Sequence, residues 1–170
     1  MLIQKLNKKV HNREAFDCGV EDFNAFLTKQ ASQYDKKGWA TTYVVVYPSD
    51  PSVILCYFCI SNHSIASDQL PGSIVGGIPE IPFTLLGRIA LDKKVQGRGL
   101  FVPFLSRAFL MAYINSKEVA SAGLIVDAYT KELAAWYERE VEFVPFPDNP
   151  NRLVLSMKEI GRILKAADLI

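Results

Sequence analysis

The segment Gln96-Gly-Arg-Gly99 is the most chemically suggestive in the chain. It sits between an apolar run from Phe83 to Leu91, ending in the charged turn Asp92-Lys-Lys94, and a second apolar run from Leu100 to Ile114. Glycines there let backbone N–H groups approach a ligand closely. The first amides of a helix lack internal partners and, with the dipole's positive end, form a phosphate site. The spacing matches neither G-x-G-x-x-G, because residue 102 is valine, nor G-x-x-x-x-G-K-[ST]. The glycines by themselves fit a phosphate cradle and a plain strand-to-helix turn equally well. Cys56 and Cys59 form a C-x-x-C that could hold zinc or cycle between redox states. They lie in Ser52-Val-Ile-Leu-Cys-Tyr-Phe-Cys-Ile60, a strand-like run in which positions i and i+3 face opposite ways. A packing role is expected, and no metal. Cys18, close to a helix start, could form a stabilised thiolate, but no histidine stands in a nucleophile context. His11 and His63 are isolated in sequence. Tyr137, in Leu133-Ala-Ala-Trp-Tyr-Glu138, reads as a helical core aromatic whose hydroxyl needs one hydrogen bond. Arg88, Lys93, Lys94 and Arg98 make a local basic cluster, suited either to phosphates of a large polyanion or to a solvated turn.

The elements that must position these groups follow from periodicity. Leu2 to Leu6 alternates weakly and predicts a first strand. Val20, Phe23, Phe26, Leu27, Ala31 and Tyr34 recur at offsets of three, four and seven, an amphipathic helix that Gly38 ends. Thr41–Tyr47, rich in β-branched and aromatic residues, is a strand, joined by a turn at Pro48–Pro51 to a partner from Val53 to about Ser61. Residues 67–82, with Pro71, Gly72, Gly76, Gly77, Pro79 and Pro82, form a loop of a length usually reserved for function. Phe83–Leu91 is a strand, Leu100–Ile114 a helix with Pro103 in its first turn, and Leu124–Ala128 a buried strand. Lys131–Arg139 is a helix, Val141–Phe146 and Arg152–Met157 are closing strands, and Glu159–Ala167 is a final helix. The order is β-α-β-β, loop, β-α-β-α-β-β, a mixed α/β fold.

Nineteen Lys and Arg oppose eighteen Asp and Glu, net +1, which excludes binding to nucleic acid through overall charge. Apolar residues are 49% of 170, enough for one sizeable core and a single domain spanning 1–170. The first residues carry no apolar run of signal-peptide type, and no stretch is long and apolar enough to span a bilayer. The expectation is a reduced, cytoplasmic, soluble domain with no membrane contact.

Three segments give the chain a family resemblance. They are Phe16-Asp-Cys-Gly-Val-Glu-Asp-Phe-Asn-Ala-Phe-Leu27, Leu86-Gly-Arg-Ile-Ala-Leu-Asp92 with Gln96-Gly-Arg-Gly-Leu100, and Ala135-Trp-Tyr-Glu-Arg139 with Phe143-Val-Pro145. Together they resemble the GCN5-related N-acetyltransferases (GNAT), and within them the type II toxin–antitoxin toxins that acetylate the amino acid on a charged tRNA. The resemblance implies a GNAT fold: a central, mostly antiparallel mixed sheet with one splayed strand pair and flanking helices. It implies acetyl-CoA as co-substrate. The backbone of Ile89, Ala90 and Leu91 would pair with the pantetheine arm, and Gln96, Gly97, Arg98, Gly99, Leu100 and Phe101 would surround the pyrophosphate. Tyr137 would donate a proton to the departing thiolate, a role open to a phenol of pKa about 10. Arg88, Lys93 and Lys94 would meet charged tRNA. A ribbon-helix-helix antitoxin and a homodimer are the implied partners. The chain departs from the family at Phe101, where Gly or Ala is usual. It departs again in Tyr137-Glu-Arg-Glu-Val-Glu-Phe143, one residue longer than Tyr-x-x-x-Gly-Phe and with Glu142 in place of glycine. An acetyltransferase for a small or protein amine, and a non-catalytic module of the same fold, remain alternatives.

Overall fold

A computed structural model describes residues 1–72 and 78–170. The strands are β1 (Leu2–Lys5), β2 (Thr41–Tyr47), β3 (Asp50–Ala66), β4 (Glu80–Leu91), β5 (Gly123–Asp127), β6 (Val144–Phe146) and β7 (Asn149–Ser156). The helices are α1 (Glu21–Ala25), α2 (Ala31–Lys36), α3 (Phe101–Glu118), α4 (Lys131–Val141) and α5 (Met157–Ala166). The hydrogen-bonded strand order is β1-β2-β3-β4-β5-β7-β6, seven strands, mostly antiparallel. The chain packs as two compact units, Met1–Ser61 with Gly87–Ala108, and Asn62–Leu86 with Phe109–Ile170.

In the first unit β2 pairs antiparallel with β1 and β3, as the Thr41–Tyr47 pattern and the turn after it predict. Alternation decides the faces. Val44 and Val46 of β2 and Tyr57 and Cys59 of β3 join Phe16, Phe26, Leu27 and Ala31 in one core. Tyr57 is fully buried, and its hydroxyl donates to the Phe23 carbonyl at 2.9 Å, so the burial leaves no orphaned donor. The predicted first helix is present but not uniform. Phe26–Gln30 winds as a π-turn between α1 and α2. The Arg13 guanidinium donates to the Thr28 carbonyl at 2.6 Å and, more loosely, to that of Leu27.

In the second unit β5 pairs parallel with β4, Thr84 to Leu86 opposite Leu124 to Val126, and antiparallel with β7. Ile125 and Val154 lie opposite one another and share a core with Ile65, Phe83 and Phe146. Several ends differ from expectation. β3 continues to Ala66 and β4 starts at Glu80, so the predicted loop 67–82 contributes strand at its far end and a 3-10 turn at Ser67–Gln69. Its Gly76 and Gly77 fall outside the described residues. α4 runs two residues beyond Arg139, and β6 therefore begins at Val144 rather than Val141. Among the described residues no helix is long and apolar enough to cross a membrane.

Candidate active site

In the first unit β4 delivers the chain to the glycine turn. Asp92, the first residue after the strand, is a buried carboxylate. Its Oδ1 accepts from the Lys94 amide at 2.9 Å and its Oδ2 from the Asp17 amide at 3.1 Å. Its own amide donates to the Leu55 carbonyl, and its carbonyl accepts from Val95. A carboxylate that folds the backbone over itself in this way starts a tight turn. Gln96 then ties the turn down. Its Nε2 donates to the carbonyls of Leu91 at 2.8 Å and Cys18 at 2.9 Å. Gly97 and Gly99 follow at φ 70° and 68°. An added Cβ at either would meet nothing within 4 Å. Conformation, not crowding, therefore demands glycine at both. α3 opens at Phe101, with Pro103 in its first turn as predicted.

This turn borders an open cavity of about 290 Å³ lined by Ile89, Leu91, Val95, Gln96, Gly97, Gly99, Leu100 and Phe101. Of the residues predicted to hold acetyl-CoA, Ala90 and Arg98 stand apart from that lining. Ala90 is packed into the first unit's core, on the other side of its strand, and Arg98 is exposed. A concave wall ending in left-handed glycines and a helix N-terminus fits a diphosphate. The parallel ladder of β4 with β5 spans Thr84 to Leu86.

The segment before α1 is what holds the turn, and sequence reasoning assigned it no duty. Asp17 carries the contacts. Its Oδ2 accepts from Lys93 Nζ at 2.6 Å, and its Oδ1 accepts from the Gly19 amide at 2.8 Å and Asn24 Nδ2 at 2.9 Å. Its carbonyl accepts from the Lys93 amide. The Lys93 ammonium, then Asn24 and the Gly19 amide, hold the Asp17 carboxyl down at about 2. The resemblance to Phe16–Leu27 was the available signal, but the partners lie about seventy-five residues away and no local pattern reveals them.

The basic cluster is close in sequence and divided in space. Lys93 pairs with Asp17. Arg88, half-buried, lays its guanidinium over the Phe26 ring at 4.1 Å from the centroid. Lys94 and Arg98 are exposed. The cysteines are buried and unpaired by disulfide. Burial pushes the Cys18 thiol up, opposite to a stabilised thiolate, and Cys56 and Cys59 are pushed up in the same way. His11 is fixed between Asn7, whose amide donates to Nδ1, and Gln4, whose Oε1 accepts from Nε2. His63 is held below its ordinary value by burial and by Arg152, against the pull of Asp127.

Tyr137 belongs to the second unit. Thr130 caps α4, its side chain accepting from the Leu133 amide at 3.2 Å. The buried stripe is Ala134, Tyr137 and Val141, offsets of three and four. Tyr137 meets the edge of Phe143 at 5.2 Å between ring centres, and Phe143 in turn meets Phe109 at 6.1 Å. The departures noted after Tyr137 now have a physical account. Glu142 takes the left-handed conformation, φ 62° and ψ 27°, which glycine adopts most readily. The extra residue is absorbed by a widened helix end, in which the amides of Glu142 and Phe143 both donate to the Tyr137 carbonyl. Glu142 also accepts from Arg162 at 2.9 Å.

No protein-family model matches the chain. A tRNA-acetylating toxin of Mycobacterium tuberculosis is 26% identical over 151 residues, covering 88% of this chain and 89% of that one. The probable toxin TacT of Sinorhizobium fredii is 24% identical over 176 residues, 96% of this chain and 94% of that one. Among solved structures, AtaT complexed with acetyl-methionyl-tRNAfMet superposes with a TM-score of 0.85 at 24% identity, over 96% of this chain and 98% of that one. A tyrosine-to-phenylalanine mutant of KacT gives 0.85 at 25% identity, over 95% and 98%. A tyrosine-to-phenylalanine mutant of AtaT, bound to acetyl-CoA and the C-terminus of the antitoxin AtaR, gives 0.80 at 23%, over 96% and 97%. The fold is that of these GNAT-like toxins, and the chain is their relative in sequence.

Proposed function

We propose that this chain is an acetyltransferase that moves an acetyl group from acetyl-CoA to the amino group of an aminoacyl-tRNA, and so stops translation as the toxin of a toxin–antitoxin pair. The observation that carries the reading is the left-handed glycine turn at the start of α3, fastened by Gln96, in a chain with the fold of AtaT and KacT.

Acetyl-CoA supplies an acyl group activated as a thioester. The amides from about Val95 to Phe101 and the α3 N-terminus are suited to its pyrophosphate. The backbone of Ile89 to Leu91 is assigned to the pantetheine arm, Ile89 and Leu91 both lining the turn's cavity. Tyr137 holds the proton that the sulfur needs on leaving. KacT and AtaT have each been solved as a tyrosine-to-phenylalanine mutant, which supports looking to a tyrosine for this role here. The attacking amine needs no dedicated base. A peptide α-amino group has a pKa of about 7.7–8.0. An ester in place of the peptide lowers it further, so much of the amine is neutral at physiological pH.

Lys94 is assigned to tRNA phosphates, and so are Lys93 and Arg88, although Asp17 and the Phe26 ring already engage those two. The partner is an antitoxin, a reading supported by the AtaR complex; its assignment to the ribbon-helix-helix type, like that of the protein to a cytoplasmic homodimer, rests on the family resemblance alone. Incubation with labelled acetyl-CoA and total charged tRNA tests the proposal. Label recovered on the α-amino group of one or a few amino acids supports it, and label on free amines alone refutes it. One observation favours a non-catalytic module instead, the Phe101 side chain in the lining of the turn's cavity. Failure to bind acetyl-CoA in calorimetry would select that reading.

A further inference from the structure

On the second unit, α3 and α5 border a groove of about 540 Å³, lined by Tyr113 and Lys117 of α3 and by residues of α5. Gly161 stands inside α5 and is buried. A glycine in a helix interior is destabilising relative to alanine. Here it admits a ring: a Cβ at 161 would stand 3.0 Å from Tyr113 Cε2. The Tyr113 ring thus lies close against the α5 backbone, and Lys117 Nζ sits 4.2 Å from its centroid. Lys158, Arg162 and Lys165 complete the basic lining, with Glu159 as its one carboxylate. Arg162 donates to Glu159 and to Glu142, so its charge is met locally. Lys117, Lys158 and Lys165 are exposed and, among the described residues, form no ion pair. Three cations without an ion-pair partner around one concavity, Lys117 lying over the Tyr113 ring, are a local excess on a chain of net charge +1.

We infer that this groove binds phosphates of the tRNA backbone and is an anchoring surface separate from the glycine turn. The inference rests on the tRNA-acetylating function proposed above. Concavity and spaced lysines suit a phosphate chain, which is held through charge and not through base identity. A membrane surface would instead call for large exposed apolar side chains around the lysines, and the apolar lining residues here, Tyr113 and Met157, are both half-buried. The anchoring raises affinity for all tRNAs alike and leaves the choice of amino acid to the reacting end.

The test is the full-length triple variant Lys117→Gln, Lys158→Gln, Lys165→Gln. None of these residues belongs to the glycine turn or to the surroundings of Tyr137. Filter binding of charged tRNA is measured across salt from about 50 to 200 mM. Each lost phosphate contact should flatten the log–log salt slope by roughly 0.7–0.9, so by about 2–3 for three contacts. KM for charged tRNA should rise, while KM for acetyl-CoA and kcat at saturating tRNA hold. An unchanged slope and an unchanged KM for tRNA, in a preparation whose wild type acetylates tRNA, overturn the groove and spare the function. So does loss of inhibition by the antitoxin with tRNA binding intact, which would assign the lysines to that protein. A wild type that neither binds nor acetylates charged tRNA brings down the function and the groove together.

Discussion

Replacing Gln96 with methionine keeps the side chain's length and removes its donors. The wild-type Nε2 gives two hydrogen bonds, to Leu91 at 2.8 Å and to Cys18 at 2.9 Å. A net hydrogen bond is worth about 0.5–1.5 kcal/mol, and the exposure of Gln96 places these in the lower half of that range, about 1–2 kcal/mol together. These are the bonds that join the turn to the end of its own strand and to the segment before α1. Without them the turn leaves the conformation that lines its cavity, and acetyl-CoA must restore it on binding. If the whole loss falls there, Kd for acetyl-CoA rises about 5- to 30-fold. If part falls on global stability, the thermal midpoint drops by as much as roughly 2–8 °C, at about 2–4 °C per kcal/mol for a chain of this size. Calorimetric titration and a melting curve on the same preparations separate the two. A variant that binds within twofold of wild type and melts at the same temperature refutes the fastening role of Gln96.

Tyr137→Phe should keep acetyl-CoA affinity and lose most transfer to charged tRNA in a radiolabel assay, and equal turnover would remove the acid role. For Asp17, a folded-state pKa of about 2 lies below the ordinary 3.8, so its carboxylate stabilises the fold above the ordinary value and that contribution fades as pH falls through about 2. The gap in melting temperature between wild type and Asp17→Asn should accordingly be constant above about pH 5 and close between about pH 4 and 2. A gap that instead widens on acidification contradicts the Lys93 pairing. Gly123→Ala places a Cβ 2.3 Å from the Leu155 carbonyl oxygen in the neighbouring strand, where backbone must move. Overpacking of this kind costs about 1–3 kcal/mol or more, visible as a lower urea midpoint.

The parts of this molecule set by local chemistry were readable from the chain. The β-branched run of β2 matches its strand residue for residue, and Gly97 and Gly99 occupy the left-handed region that the turn before α3 requires. Parts set by distant partners were not. Asp92 reads as one charge in a charged turn, yet it is buried because amides from residues 17 and 94 converge on it. Arg88 and Lys93 read as neighbours in a basic cluster, yet one stacks on a ring and the other pairs with Asp17. β3 was cut short at its polar stretch Asn62-His-Ser64, where alternating exposure replaces a continuous apolar signal. Pro82 hid the start of β4, since proline inside a run normally argues against a strand. The π-turn at Phe26–Gln30 keeps the apolar spacing nearly intact and leaves no compositional mark.

The widened end of α4 has a consequence for how such chains can diverge. A left-handed glutamate and one inserted residue are a matched pair, because together they bring Phe143 back to Tyr137. Deleting the insertion alone would swing the aromatic partner out of reach, whereas restoring glycine alone would leave the longer path intact. Lineages carrying the shorter ending and the longer one are therefore joined by an ordered route, glycine first and loss of the inserted residue second, and chimeras between them should exchange the stretch from 137 to 143 as one block.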